Sequence, residues 1–176
     1  MIYGTTIIAV KKNQHVAIGG DGQITLSNNT IIKQGARKVR RLFHDRIVAG
    51  FAGSVADAIT LFEKFEGKLD SYQGNLKRAA VELAQDWRTD RALRRLEALL
   101  IAASKDDLLI VSGTGEVIEP DDEIAAVGSG APYAHAAAKA LCGFTELSSL
   151  EIVKESLLIS SQICIYTNNQ IVTEEL

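Results

Sequence analysis

Apolar and polar positions fall into blocks whose periods predict an ordered series of elements. Residues 5–12 read as a β-branched strand, Asn13-Gln14 as a tight turn and residues 15–20 as a returning strand, so the two form a hairpin. Gly19-Gly20-Asp21-Gly22 then breaks the pattern and sets a carboxylate among glycines. Short extended pieces split by Ser27-Asn28-Asn29 carry the chain to Lys33. A second hairpin follows, with a turn at His44-Asp45 between residues 38–43 and residues 46–53. Its inner strand is almost wholly apolar, as a strand covered on both faces should be.

Helical spacing takes over at Ser54, a candidate N-cap, with Val55, Ala58, Ile59, Phe62, Phe65 and Leu69 recurring on one side. After Gly74-Asn75 a longer helix places Leu76, Ala79, Ala80, Leu83 and Trp87 on one face, and is expected to run past Leu96 towards Leu100. Residues 108–112 and 116–119 read as strands around Gly113-Thr114-Gly115, and residues 124–127 as a strand ending at Gly128-Ser129-Gly130. Pro132 suits the first turn of an alanine-rich helix. A further helix is expected over residues 149–160, and closing strands near 163–167 and 171–173. Strands, two helices, strands, two helices and strands, joined by hairpins, favour antiparallel sheets. Two sheets with a helical layer outside each satisfy the pattern.

Composition narrows the class. A chain of 176 residues, 47% hydrophobic, fits one domain with a substantial core. A net charge of -3 argues against a general nucleic-acid binder. Arg88, Arg91, Arg94 and Arg95 do cluster, but Asp86, Asp90 and Glu97 are interleaved with them, which reads as a solvated face or subunit contact. Cys142 and Cys164 lie far apart and suit a reducing compartment, so a cytoplasmic location without membrane association is expected. No apolar run approaches the roughly 20 residues that span a bilayer, and residues 1–4 lack the features of a secretory signal.

Candidate chemistry centres on Thr5-Thr6. Threonine is a poor nucleophile unless a base removes its proton, and the α-amine of a chain beginning at Thr5 would supply one. The plainer alternative is a first strand with a frayed end. The three histidines fall on a strand start, a turn and a helix, without zinc spacing or a nucleophile elbow around them. Gly128-Ser-Gly130-Ala-Pro-Tyr133 leads from a strand into a helix as a phosphate loop does, but lacks the third small residue and the later acidic partner. A nucleotide-binding module and a non-catalytic ring subunit are therefore rival readings.

Read together, Thr5-Thr6, Gly20-Asp21-Gly22-Gln23, Lys38-Val39-Arg40-Arg41, Ala49-Gly50-Phe51-Ala52-Gly53, Asp86-Trp87-Arg88-Thr89-Asp90 and Gly128-Ser129-Gly130 occur in an order that closely resembles the bacterial proteasome-like proteases. These belong to the proteasome β-subunit branch of the N-terminal nucleophile hydrolases. The resemblance runs from Thr5 to the C-terminus. It implies an α+β fold, a four-layer αββα sandwich, with residues 1–4 a short propeptide and 5–176 one catalytic domain. It implies an ATP-dependent threonine endopeptidase that degrades unfolded proteins, assembled as a homododecamer of two stacked hexameric rings. A hexameric ATPase would feed it, and no nucleotide would bind this subunit.

The same resemblance implies the site. Thr5 is the nucleophile, and its α-amine the base. Lys38 is the active-site cation, chosen over Arg37 because Val-Arg-Arg follows it in register. Asp21 orients Lys38, Gly50 offers its N–H to the oxyanion, and Ser129 hydrogen-bonds the amine of Thr5. The backbone carbonyls of Ser161, Cys164 and Thr167 match a sodium (Na+) site, with Ser161 replacing the usual glycine. Ile2 makes simple removal of Met1 an unsuitable route to a free Thr5, so autocleavage after Gly4 is expected.

Overall fold

The computed structural model describes residues 2–4, 6–26, 29–90 and 98–176. Two antiparallel sheets lie face to face. The first contains β1 (Ile2–Gly4), β4 (Ile24–Leu26), β5 (Ile31–Lys33), β6 (Val39–Leu42), β7 (Ile47–Gly53), β8 (Ala98–Ala103), β9 (Leu108–Ser112) and β10 (Val117–Ile118). The second has the order β11 (Ile124–Val127), β2 (Ile7–Lys12), β3 (His15–Asp21), β12 (Ile171–Glu175). Helices α1 (Val55–Ser71) and α2 (Leu76–Thr89) cover the first sheet, while α3 (Ala131–Phe144) and α4 (Ser149–Ile163) cover the second. The order of layers is helix, sheet, sheet, helix, as the sequence pattern predicts.

Three apolar clusters correspond to the three interfaces between layers. Phe62, Phe65, Leu69, Leu83 and Trp87 pack α1 and α2 on Phe51 and Leu100 of the first sheet. Ile7, Val16, Ile18, Val39, Val48 and Ile101 fill the space between the sheets. Ile8, Val10, Ala17, Ala134, Ile152 and Leu157 seal α3 and α4 to the second sheet. Neighbours along a strand therefore serve different cores: Ile7 points to one interface and Ile8 to the other, the period of two that a pleated strand imposes. That is why β2 and β7 read as continuous apolar runs. Gly50 sits within the middle interface, where an added Cβ would lie 2.8 Å from Ile7 Cγ2 and 3.0 Å from Val39 Cγ1. Close approach of the two sheets requires glycine there.

Two expectations from periodicity are corrected. The second long helix stops at Thr89, with Asp90 extended (φ -73°, ψ 125°), and Leu99-Leu100-Ile101 belongs to β8, paired with β7 and β9. Its expected continuation over 91–97 lies outside the described residues. The expected strand near 163–167 is absent: α4 continues to Ile163, and the chain then turns, with the Thr167 N–H donating to the Cys164 carbonyl at 3.0 Å. The hairpin turns fall where expected, with φ of 53° and 63° at Asn13 and Gln14 and 54° and 61° at His44 and Asp45. Among the described residues no helix is long and apolar enough to cross a membrane.

The leader is structured. β1 lies antiparallel between β4, where Tyr3 faces Thr25, and the end of β7, where Gly4 faces Gly53. It occupies the stretch of β7 edge that β6 leaves unpaired, since β6 covers only Ile47 to Gly50.

Candidate active site

The end of β3 delivers Asp21, and the start of β6 delivers Lys38. Both side chains are fully buried, and Lys38 Nζ lies 2.8 Å from Asp21 Oδ1. Burial penalises both charges: it pushes the Lys38 pKa down and that of the Asp21 carboxyl up, and the attraction between them opposes each shift. The other carboxylate oxygen of Asp21 accepts two backbone N–H groups, from Gln23 at 2.9 Å and from Asn168 at 3.2 Å. Both oxygens of Asp21 are therefore hydrogen-bonded, which is what a buried ion pair needs to persist. Arg37, one residue earlier, is exposed and pairs with Glu174.

Gly4 packs on this lysine: a Cβ added to it would lie 3.3 Å from Lys38 Cε. Thr5, the expected nucleophile, lies outside the described residues. On its other side Thr6 is buried in the left-handed region, at φ 59°, a conformation that a β-branched residue adopts only when its surroundings impose it. Three contacts impose it here. Thr6 Oγ1 is 2.7 Å from Thr167 Oγ1 and accepts the Gly130 N–H at 3.0 Å, while the Thr6 carbonyl accepts the Asp21 N–H at 3.3 Å.

The loop between β11 and α3 closes over Thr6. A Cβ on Gly128 (φ 100°) would meet Thr6 N at 2.6 Å, and one on Gly130 would lie 2.4 to 2.6 Å from the hydroxyls of Thr6, Ser160 and Thr167. Both glycines are thus demanded by backbone approach to the N-terminal segment. Ser129, between them, is exposed. Ser160 on α4 donates to the Gly130 carbonyl at 3.0 Å, tying this loop to the second helical layer.

Of the residues expected at the site, the structure brings Asp21 and Lys38 together and sets Gly50 in β7 opposite Val39. Thr6 and Gly130, which the sequence marks only as members of motifs, belong to the same constellation, as do Ser160 and Asn168, which it does not mark. Ser161 and Cys164 lie at the C-terminal end of α4, and Thr167 just beyond. Backbone oxygens at a helix C-terminus carry partial negative charge, which favours a cation beside them.

A family model described as "Proteasome subunit" matches residues 1–176. The chain belongs to the proteasome family. Among proteasome-family relatives it is 61% identical over 176 residues to the ATP-dependent protease subunit HslV of Syntrophobacter fumaroxidans, covering 100% of this chain and 98% of that one. It is 60% identical to the protein of the same name from Thermoanaerobacter pseudethanolicus, with both chains fully covered. A solved structure described as eukaryotic HslV from Trypanosoma brucei superposes with a TM-score of 0.93 at 46% identity, covering 98% of this chain and 99% of that one. Thiobacillus denitrificans BPH, at 18% identity and a TM-score of 0.76 over 98% of this chain and 97% of its own, shares the proteasome-family fold.

Proposed function

We propose that this chain is the proteolytic subunit of a two-component ATP-dependent protease, a threonine endopeptidase served by an HslU-type (ClpY) ATPase. Full-length similarity to proteins named HslV supports the class. The observation that carries the chemistry is the buried Lys38–Asp21 pair packed against Gly4, the residue immediately before Thr5.

Cleavage of the Gly4–Thr5 bond frees the Thr5 α-amine. The hydroxyl of Thr5 then attacks a substrate carbonyl, its proton passes to that amine, and a tetrahedral oxyanion forms. Collapse breaks the peptide C–N bond, the proton goes to the departing amine, and an ester remains on Thr5. Water attacks the ester with the Thr5 amine as base, releasing the acid and restoring the hydroxyl. A free α-amine with a pKa of about 7.7–8.0 is already neutral in roughly a tenth of molecules at pH 7. Lys38, held 2.8 Å from the Asp21 carboxyl, acts as a cation that steadies the alkoxide and lowers the amine's pKa. The Gly50 N–H serves the oxyanion and Ser129 the amine.

Residues 1–4 act as a propeptide that caps the nucleophile as an amide. Their removal opens the slot between β4 and β7, where an extended peptide can add as an antiparallel strand. The carbonyls of Ser161, Cys164 and Thr167 would hold a sodium ion, which braces the turn after α4 when bound. The chain works in the cytoplasm as a dodecamer of two hexameric rings. The test is degradation of an unfolded protein by wild type and Thr5→Ala, each with the ATPase and ATP. Wild type should degrade it and Thr5→Ala should not. Equal activity, or none in processed wild type, overturns the reading.

A further inference from the structure

The turn that follows α4 joins the two halves of the site. Thr167 points its hydroxyl at Thr6 (2.7 Å), the neighbour of the expected nucleophile, in a pocket shared with the Gly130 backbone. The next residue faces the other half. The Asn168 backbone N–H donates to Asp21 Oδ2 at 3.2 Å, and its Oδ1 accepts the Gly22 N–H at 3.0 Å. Its Nδ2 donates to the Gln34 carbonyl at 2.9 Å, and Oδ1 also takes the Gln170 N–H at 3.1 Å. Asn168 thus pins the turn carrying Asp21 to the segment that leads into Lys38. The fit is tight, since a Cβ on Gly22 would lie 2.1 Å from the Gln34 carbonyl oxygen.

From this geometry we infer that Thr167 and Asn168 are positioning residues: their side chains form a two-residue clamp that fixes the nucleophile's segment relative to the Lys38–Asp21 pair. The inference rests on the reading of Thr5 as nucleophile. Neither side chain need touch the substrate. Thr167 acts through Thr6, holding it in a left-handed conformation it would otherwise leave. The Asn168 side chain acts through Gly22, the residue after Asp21, and through Gln34 on the segment that leads into Lys38. Displacement of either half by about 1 Å can cost on the order of 100-fold in rate, so the clamp should show in kcat rather than in KM.

The test compares Thr167→Val, Thr167→Ser, Asn168→Ala and Gln170→Ala. Among the described residues the Gln170 side chain hydrogen-bonds Asn169, which makes it a control within the same loop. Hydrolysis of a fluorogenic peptide is measured on protein that elutes as wild type, normalised to the fraction with a free Thr5 by intact mass. Thr167→Val keeps the shape and loses the hydroxyl; Thr167→Ser keeps the hydroxyl and loses a methyl. We expect Thr167→Val and Asn168→Ala to lose about 10- to 100-fold in kcat with KM within about twofold. Thr167→Ser and Gln170→Ala should stay within about threefold of wild-type kcat. Val performing as well as Ser at 167, or unchanged kcat in Asn168→Ala, overturns the clamp. So does a loss that appears in KM or follows the melting temperature. Inactive, fully processed wild type would instead sink the underlying assignment of Thr5.

Discussion

Replacing Lys38 by Met should leave Asp21 as a buried carboxylate with no countercharge. At 2.8 Å and an effective dielectric constant of about 20, the lost attraction is about 6 kcal/mol. Part of that is recovered because the variant no longer desolvates an ammonium, and removal of one partner of a buried pair typically costs about 3–5 kcal/mol. For a domain of this size about 1 kcal/mol moves Tm by roughly 2–4 °C, so a drop of roughly 6–20 °C is expected. The pH dependence carries the diagnosis. Without Lys38, burial raises the Asp21 pKa above its unfolded value against only the two backbone N–H groups of Gln23 and Asn168. The neutral acid's contribution is then fully present below the unfolded pKa and is lost as pH rises through the folded one. The deficit against wild type should therefore widen from pH 4 to pH 8 and close on acidification. The assay is a thermal melt of both proteins across that range at one protomer concentration. Asp21→Asn combined with Lys38→Met should recover most of the loss while remaining inactive. A Lys38→Met protein that melts with wild type at pH 8, or whose deficit ignores pH, would refute the idea that this pair is desolvated and mutually dependent.

Other outcomes follow from the same contacts. Gly130→Ala sets a methyl 2.4 to 2.6 Å from three hydroxyls, so it should cost about 1–3 kcal/mol and slow processing of residues 1–4, read by denaturation and intact mass. Peptide hydrolysis should fall on the acid side as the Thr5 α-amine, the base, is protonated, and should fall off more steeply where Asp21, its pKa raised by burial, is protonated and releases Lys38; an activity profile from pH 4 to 9 that shows a single-proton acid limb would count against the second step. Gly50→Ala should destabilise the fold by about 1–3 kcal/mol through the clash with Ile7 and Val39, whether or not Thr5 is processed.

The layers of the fold were legible because the central strands β2, β3, β7 and β8 serve two cores in turn, and each helix shows one apolar face. Turns at Asn13-Gln14 and His44-Asp45 were legible because their residues tolerate positive φ. Ambiguity arose where an apolar run fits either period. Residues 98–103 can continue a helix or form a strand, and pairing with β7 and β9, which no local window contains, decides for the strand. Ile163-Cys-Ile-Tyr-Thr has the β-branched composition of a strand, but α4 keeps its hydrogen bonds to Ile163 and the Cys164 N–H still reaches the Ser160 carbonyl at 2.8 Å. In the site, Asp21 and Lys38 stood out through motif and register. The structural role of Thr6, and Asn168 altogether, did not. Their partners lie 161 and 146 residues away, and only the packed sheets bring them together.

The central claim is that Thr5, freed by cleavage after Gly4, is the working nucleophile. Intact mass and N-terminal sequencing of purified wild type and Thr5→Ala test it most directly. Active wild type should begin at Thr5, and Thr5→Ala should keep residues 1–4 and hydrolyse nothing. Active wild-type protein that still carries Met1 through Gly4 would contradict the account.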